Sequence, residues 1–115
     1  MSKKYVKVHI QFVQDSAEKI LEMAKDFCHS ENLSVEDVDT AISNLAEVRM
    51  PRLPYPTYIS KNNSVGDIVQ VPYGADFYPV GVVLDILDEE DVDLQSGIKY
   101  KPVRKTLVSV DDYVC

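Results

Sequence analysis

The sequence has little of what most often carries chemistry. It holds two cysteines and two histidines in 115 residues. Two cysteines do not make a disulfide framework. Cys28 falls on the apolar stripe of an expected helix, and Cys115 is the last residue. The expectation is a buried thiol and a tail thiol in a reducing compartment. His9 and His29 have no companion at ligand spacing, which argues against zinc. Cys28 beside His29 does not make an activated thiol, because neighbours on a helix point about 100° apart.

Also missing are a glycine-rich phosphate loop, a GxSxG elbow and an HExxH helix. No catalytic residue, metal or cofactor is expected. There is no apolar run of membrane-spanning length and no signal-peptide core behind Ser2-Lys3-Lys4. A cytoplasmic protein with no membrane partner is the expectation. Positive charge is short as well. The 12 Lys and Arg face 19 Asp and Glu, giving a net charge of −7 and a pI near 4.7. That balance argues against general binding to phosphate backbones. It fits a protein whose partner is another protein. An acidic inhibitor that mimics DNA, or a protein that sequesters a small ligand, are alternatives. Self-association is left open.

What is present is enough for a core. The apolar fraction is 45%, and the length suits one domain, or a small domain with a helical attachment. Residues 65–87, VGDIVQVPYGADFYPVGVVLDIL, organise the rest. Val65-Gly66-Asp67 reads as a tight entry turn, with Gly66 free to take a positive φ. Ile68-Val69-Gln70-Val71 is a strand, and Pro72 stops its ladder. Residues 80–87 form a second, longer strand, with Gly81 as an expected bulge or bend. Val69, Val71, Val80, Val82 and Leu84, or their opposite-parity neighbours, should fill a small barrel.

Residues 5–13 alternate cleanly. Val6, Val8, Ile10 and Phe12 point one way, and Tyr5, Lys7, His9 and Gln11 the other. Period two with one apolar face predicts a half-buried antiparallel strand with His9 outward. A lone strand is unstable, so pairing with a barrel edge is expected. Asp15 and Glu18 form a capping box for a helix running to about His29. Its stripe is Ala17, Ile20, Leu21, Ala24, Phe27 and Cys28. Ser34, with Asp37 three residues on, caps a second helix with a stripe of Val38, Ala41, Ile42, Leu45 and Val48. Pro51 should stop it, and the short link predicts antiparallel neighbours.

Three prolines in residues 51–56 make a stiff hinge. It separates a strand–helix–helix segment, residues 1–50, from a small β-barrel, residues 51–115, the two expected to form one compact unit. The barrel's first strand starts at Tyr58-Ile59. Residues 88–93 are an acidic loop without the spacing of a calcium site. Residues 98–103 and 106–110 read as closing strands, and order is expected to end at Asp111-Asp112.

Lys99, Lys101, Arg104 and Lys105 are the only basic cluster. Lys99 and Lys101 share one face of a strand. Tyr73, Phe77 and Tyr78 crowd one short loop, and Tyr55, Tyr58 and Tyr100 add rings nearby. Rigid rings beside cations suit a binding surface. The candidate binding residues are therefore Tyr73, Phe77, Tyr78, Lys99, Lys101, Arg104 and Lys105.

Residues 55–108 also resemble a small β-barrel domain common in phage and prophage proteins of unknown function. The resemblance is carried by Tyr58-Ile59, Val65-Gly66-Asp67, Val69-Gln70-Val71-Pro72, Val80-Gly81-Val82-Val83, the acidic loop and Ile98-Lys99-Tyr100-Lys101, in that order. Residues 66–74 and the next strand are similar to the N-terminal DNA-binding domain of the primosomal replication-restart helicase. The chain as a whole reads as an α+β protein: a strand and two antiparallel helices joined to a small, SH3-like antiparallel β-barrel. The resemblance implies a non-enzymatic phage- or prophage-type accessory protein in a bacterial host's cytoplasm, binding a macromolecule. A protein is the expected partner, and a nucleic acid held on the barrel surface is the alternative.

Overall fold

The computed structural model describes residues 4–13, 17–27, 34–73, 78–91, 97 and 99–113, with Ala17 and Arg49 described by their backbone alone. Expectations that fall on Asp15, Cys28, His29, Phe77, Asp93, Ile98 and Cys115 lie outside those residues. Three helices pack on one face of a curled, mixed sheet, giving an α+β half-barrel.

The strands are β1 (Lys4–Phe12), β2 (Val48–Arg49), β3 (Tyr58–Ile59), β4 (Ile68–Gln70), β5 (Val80–Asp88), β6 (Lys101–Pro102) and β7 (Lys105–Val108). Across the sheet they run β6-β3-β1-β5-β4-β7, with β2 on the end of β1. β6 ends at Pro102 and β7 begins at Lys105, so two residues separate the two ends of that order. Val103 N–H donates to Ile59 on one edge, and Arg104 N–H donates to Gln70 on the other. A flat sheet of six strands would hold its outer strands roughly 24 Å apart. The Pro102-to-Lys105 link spans at most roughly 11 Å. The sheet must therefore curl until its edges nearly meet.

The hairpin of β4 and β5 forms as its residues suggest, antiparallel with Ile68 opposite Val82. Its register sets two cores. Val69, Val71 and Val83 point into the curl with Val6, Val8 and Tyr58. Ile68, Val80 and Val82 face the helices, with Val108, Tyr113, Ile20, Ala24, Val38 and Ile42. Each fully buried Val or Ile is worth about 1.5–3 kcal/mol. Gly81 is not a bulge. The extra residue is Leu84, where the register slips opposite Lys7 and Val8. Gly81 is small because Val8 and the His9 backbone lie where its Cβ would go.

β1 departs most from the sequence reading. It lies between β3 and β5, not at an edge. Both of its faces are covered: Tyr5, His9 and Gln11 are 5%, 7% and 1% exposed. Tyr100 packs edge-on against Tyr5, with ring centres 5.3 Å apart. Helix α2 covers His9 and Gln11 and gives them polar partners in Asp39 and Ser43. A polar face can be buried when its groups are bonded.

The helices are α1 (Ala17–Phe27), α2 (Val35–Leu45) and α3 (Val110–Tyr113). Ser34 caps α2 in a full capping box with Asp37. The Ser34 backbone N–H and hydroxyl hold the Asp37 carboxyl below the usual carboxylate range. α2 stops at Leu45, short of Pro51. Val48 is not on the helical stripe: it pairs with Phe12 in β2 and is exposed. α1 and α2 are not each other's main neighbours: α1 packs on α3 and β7, and α2 on β1 and β5. A further correction concerns β6, which pairs parallel with β3, because a long connection rather than a hairpin delivers it.

Order also runs past Asp111. Val110 is not strand but the start of α3, which buries Tyr113. The Val65-Gly66-Asp67 turn is its dock. Gly66 has φ +99°, and a Cβ there would meet the Tyr113 hydroxyl and Val110. Asp67 is 4% exposed. One of its oxygens accepts from Asn63 Nδ2 at 2.9 Å and Ser64 N–H at 3.0 Å. The other accepts from Val110 N–H at 2.8 Å, at the start of α3.

Candidate binding cleft

The curl leaves one end open near residues 53–58. Tyr58 enters from β3, and its hydroxyl donates to the Pro72 carbonyl at 3.0 Å. That bond joins β3 to the chain just past β4, and both of its residues line a cleft of about 310 Å³. Ile10 of β1 and Leu53, Tyr55 and Thr57 of the proline hinge make one wall. Pro72 and Tyr73 make the other, and Lys99 and Lys101 rim it. Burial, and then the nearby Tyr73, push the Tyr58 phenol up to about 12, so it stays a neutral donor. The Tyr73 ring is braced edge-on by Phe12, with centres 5.3 Å apart, and stays 46% exposed.

A second polar constellation holds the hinge in place. His9 Nδ1 lies 2.7 Å from an Asp39 carboxylate oxygen, and Nε2 lies 2.7 Å from the Met50 carbonyl oxygen. Both of these partners are acceptors, and the Gln11 amide nitrogen also lies 2.8 Å from Nε2. Arg52 donates to the second Asp39 oxygen. β1, α2 and residues 50–52 are thereby tied together, next to Leu53 and Tyr55. A His–Asp pair can orient a general base, but only with the far nitrogen available. Here Met50 occupies it. The Gln11 amide nitrogen reaches Ser43 Oγ at 3.0 Å, while its oxygen is buried with no hydrogen-bond partner among the described residues.

The seven candidate residues separate into groups. Tyr73, Lys99 and Lys101 meet at the cleft. Arg104 Cζ lies over the Tyr78 ring, 3.6 Å from its centre, as a cation–π pair. Lys105 lines a different cleft beyond β6. Phe77 is outside the described residues. Sequence reasoning did not select Ile10, Leu53, Thr57 and Pro72 for this surface. The proline-stiffened hinge was the available signal for Leu53, since a rigid extended segment can hold an apolar side chain out. Leu53 is 41% exposed.

The lysines of this region make no ion pair among the described residues; Asp88 of the acidic stretch pairs with Lys4 instead. Among the described residues no cluster of three His, Cys, Asp or Glu side chains could hold a metal ion, and no helix is long and apolar enough to cross a membrane. No protein-family model, curated protein or solved structure gives a significant match to this chain.

Proposed function

We propose that this is a non-enzymatic accessory protein of phage or prophage type that binds another protein through the tyrosine–lysine cleft. The observation that carries the reading is the convergence of Tyr73, Lys99 and Lys101, from distant points of the chain, around an apolar opening. Aromatic anchors with a charged rim are the usual anatomy of a protein-binding hot spot. The order of motifs in residues 58–101 supports the phage-type assignment, and the curl that brings β6 and β7 within two residues of each other supports an SH3-like barrel. A net charge of −7 favours a protein partner over a phosphate backbone.

A second reading is single-stranded nucleic acid stacking on Tyr73 beside the lysines, as such strands do on aromatic platforms. Capture from host extract separates the two. Wild-type protein is expected to retain a protein that the Tyr73→Ala/Lys101→Glu variant loses, with its melting temperature unchanged. Retention of nuclease-sensitive material instead, with binding that collapses as salt rises, would replace the first reading with the second.

A further inference from the structure

A second opening of about 340 Å³ lies beyond β6, where the curl fails to close. Lys61 and Asn62 line it from the turn after β3, and Lys105 and Thr106 from β7. Among the described residues no Asp or Glu lines either opening. The Asn63 amide, which also lies there, is already committed to Asp67 and Thr106. Lys61 and Lys105 make no ion pair among the described residues. In a chain of net charge −7, four such ammonium groups along the seam where the two sheet edges approach are a local reversal of sign.

The two openings stand in tandem. β3 and β6 run parallel, with Tyr58 beside Lys101 and Ile59 beside Pro102. The first opening takes its residues from before and at this pairing, and the second from its end and after it. About four residues separate their middles, which is on the order of 13 Å along an extended strand. Lys101 and Pro102 lie between them. Pro102 has no N–H, so the edge is blunted against addition of a full β-strand. A ligand here is held by side chains.

Resting on the protein-binding reading above, we infer that the two openings form one track for an extended acidic segment of the partner. One apolar or aromatic side chain of that segment enters the tyrosine cleft. Carboxylates before and after it meet Lys99 and Lys101 at one end and Lys61 and Lys105 at the other. Charge complementarity selects an acidic peptide, and the apolar walls of the first opening select a residue to anchor it.

The test uses a fluorescein-labelled peptide of roughly ten Asp and Glu residues with one central Phe, enough to cover both openings at ~3.3 Å per residue. Anisotropy is read with the full-length protein and three variants. Lys61→Glu/Lys105→Glu is expected to weaken binding by about tenfold or more, as is Tyr73→Ala/Lys101→Glu. Leu21→Glu, on α1, is expected to bind as wild type. If only the Tyr73→Ala/Lys101→Glu variant loses binding, the track is overturned while the cleft stands. If neither double variant differs from Leu21→Glu, both fall. If a single-stranded oligothymidine of equal charge binds more tightly and displaces the peptide, the acidic partner is wrong.

Discussion

The Tyr113 hydroxyl donates a hydrogen bond to the carbonyl oxygen of Gly66, 47 residues earlier in the chain. With the Asp67–Val110 bond, it fixes α3 to the turn that opens the central hairpin. The turn's glycine thus serves two ends: a left-handed backbone and a seat for a ring.

That double role separates two glycines. Gly66 and Gly97 both have positive φ, but a Cβ at Gly97 would meet no described residue within 4 Å. Gly97→Ala should cost only backbone strain, about 1 kcal/mol. Gly66→Ala adds a clash with Tyr113 and Val110 and should cost about 2–4 kcal/mol. Urea denaturation of both variants reads the difference. Equal losses would mean that α3 does not seat on the turn.

The buried Asp39 offers an asymmetric pair. Its carboxylate is fully buried between His9 and the half-exposed Arg52. Asp39→Ala should destabilise by about 3–5 kcal/mol, because it strands a buried imidazole without its partner. Arg52→Ala should cost about 1 kcal/mol, since water can replace an exposed guanidinium. A larger loss for Arg52→Ala would contradict the burial order.

Two phenols should make stability fall in alkali. Burial, and then Asp67, push Tyr113 up to about 12, and Tyr58 stands at about 12 as well. Above pH 10, near their ordinary value, the unfolded chain loses these protons while the folded chain keeps them. The folded state then binds more protons, so stability drops as pH rises from about 10 to 12 and is fully present below that window. Urea midpoints across this range should fall less steeply for Tyr113→Phe than for wild type. Parallel slopes would show that the ring is not buried in its neutral form.

Local features of this fold were legible in the sequence. The Ser34–Asp37 capping box, the positive φ of Gly66 and the stop at Pro72 each depend on neighbours within a few residues. What was missed needs partners far along the chain. His9 reads as outward because its companion, Asp39, is 30 residues away on a helix. β6 is two residues long, too short to show a period or a direction. α3 is four residues long and owes its place to Gly66 and Asp67 rather than to helix propensity. Of the binding surface, the residue types were legible, and so was the pairing of Lys99 with Lys101. Bringing Tyr73 to them requires the curl of the sheet, which no single segment encodes.

Site-specific photocrosslinking tests the central claim most directly. p-Benzoylphenylalanine replaces Tyr73 in the cleft, and in a control replaces Leu21, which is 40% exposed on α1. Irradiation in host cells should give a discrete, protease-sensitive adduct from position 73 and none from position 21. No adduct at position 73, or the same adduct from both positions, would contradict the account.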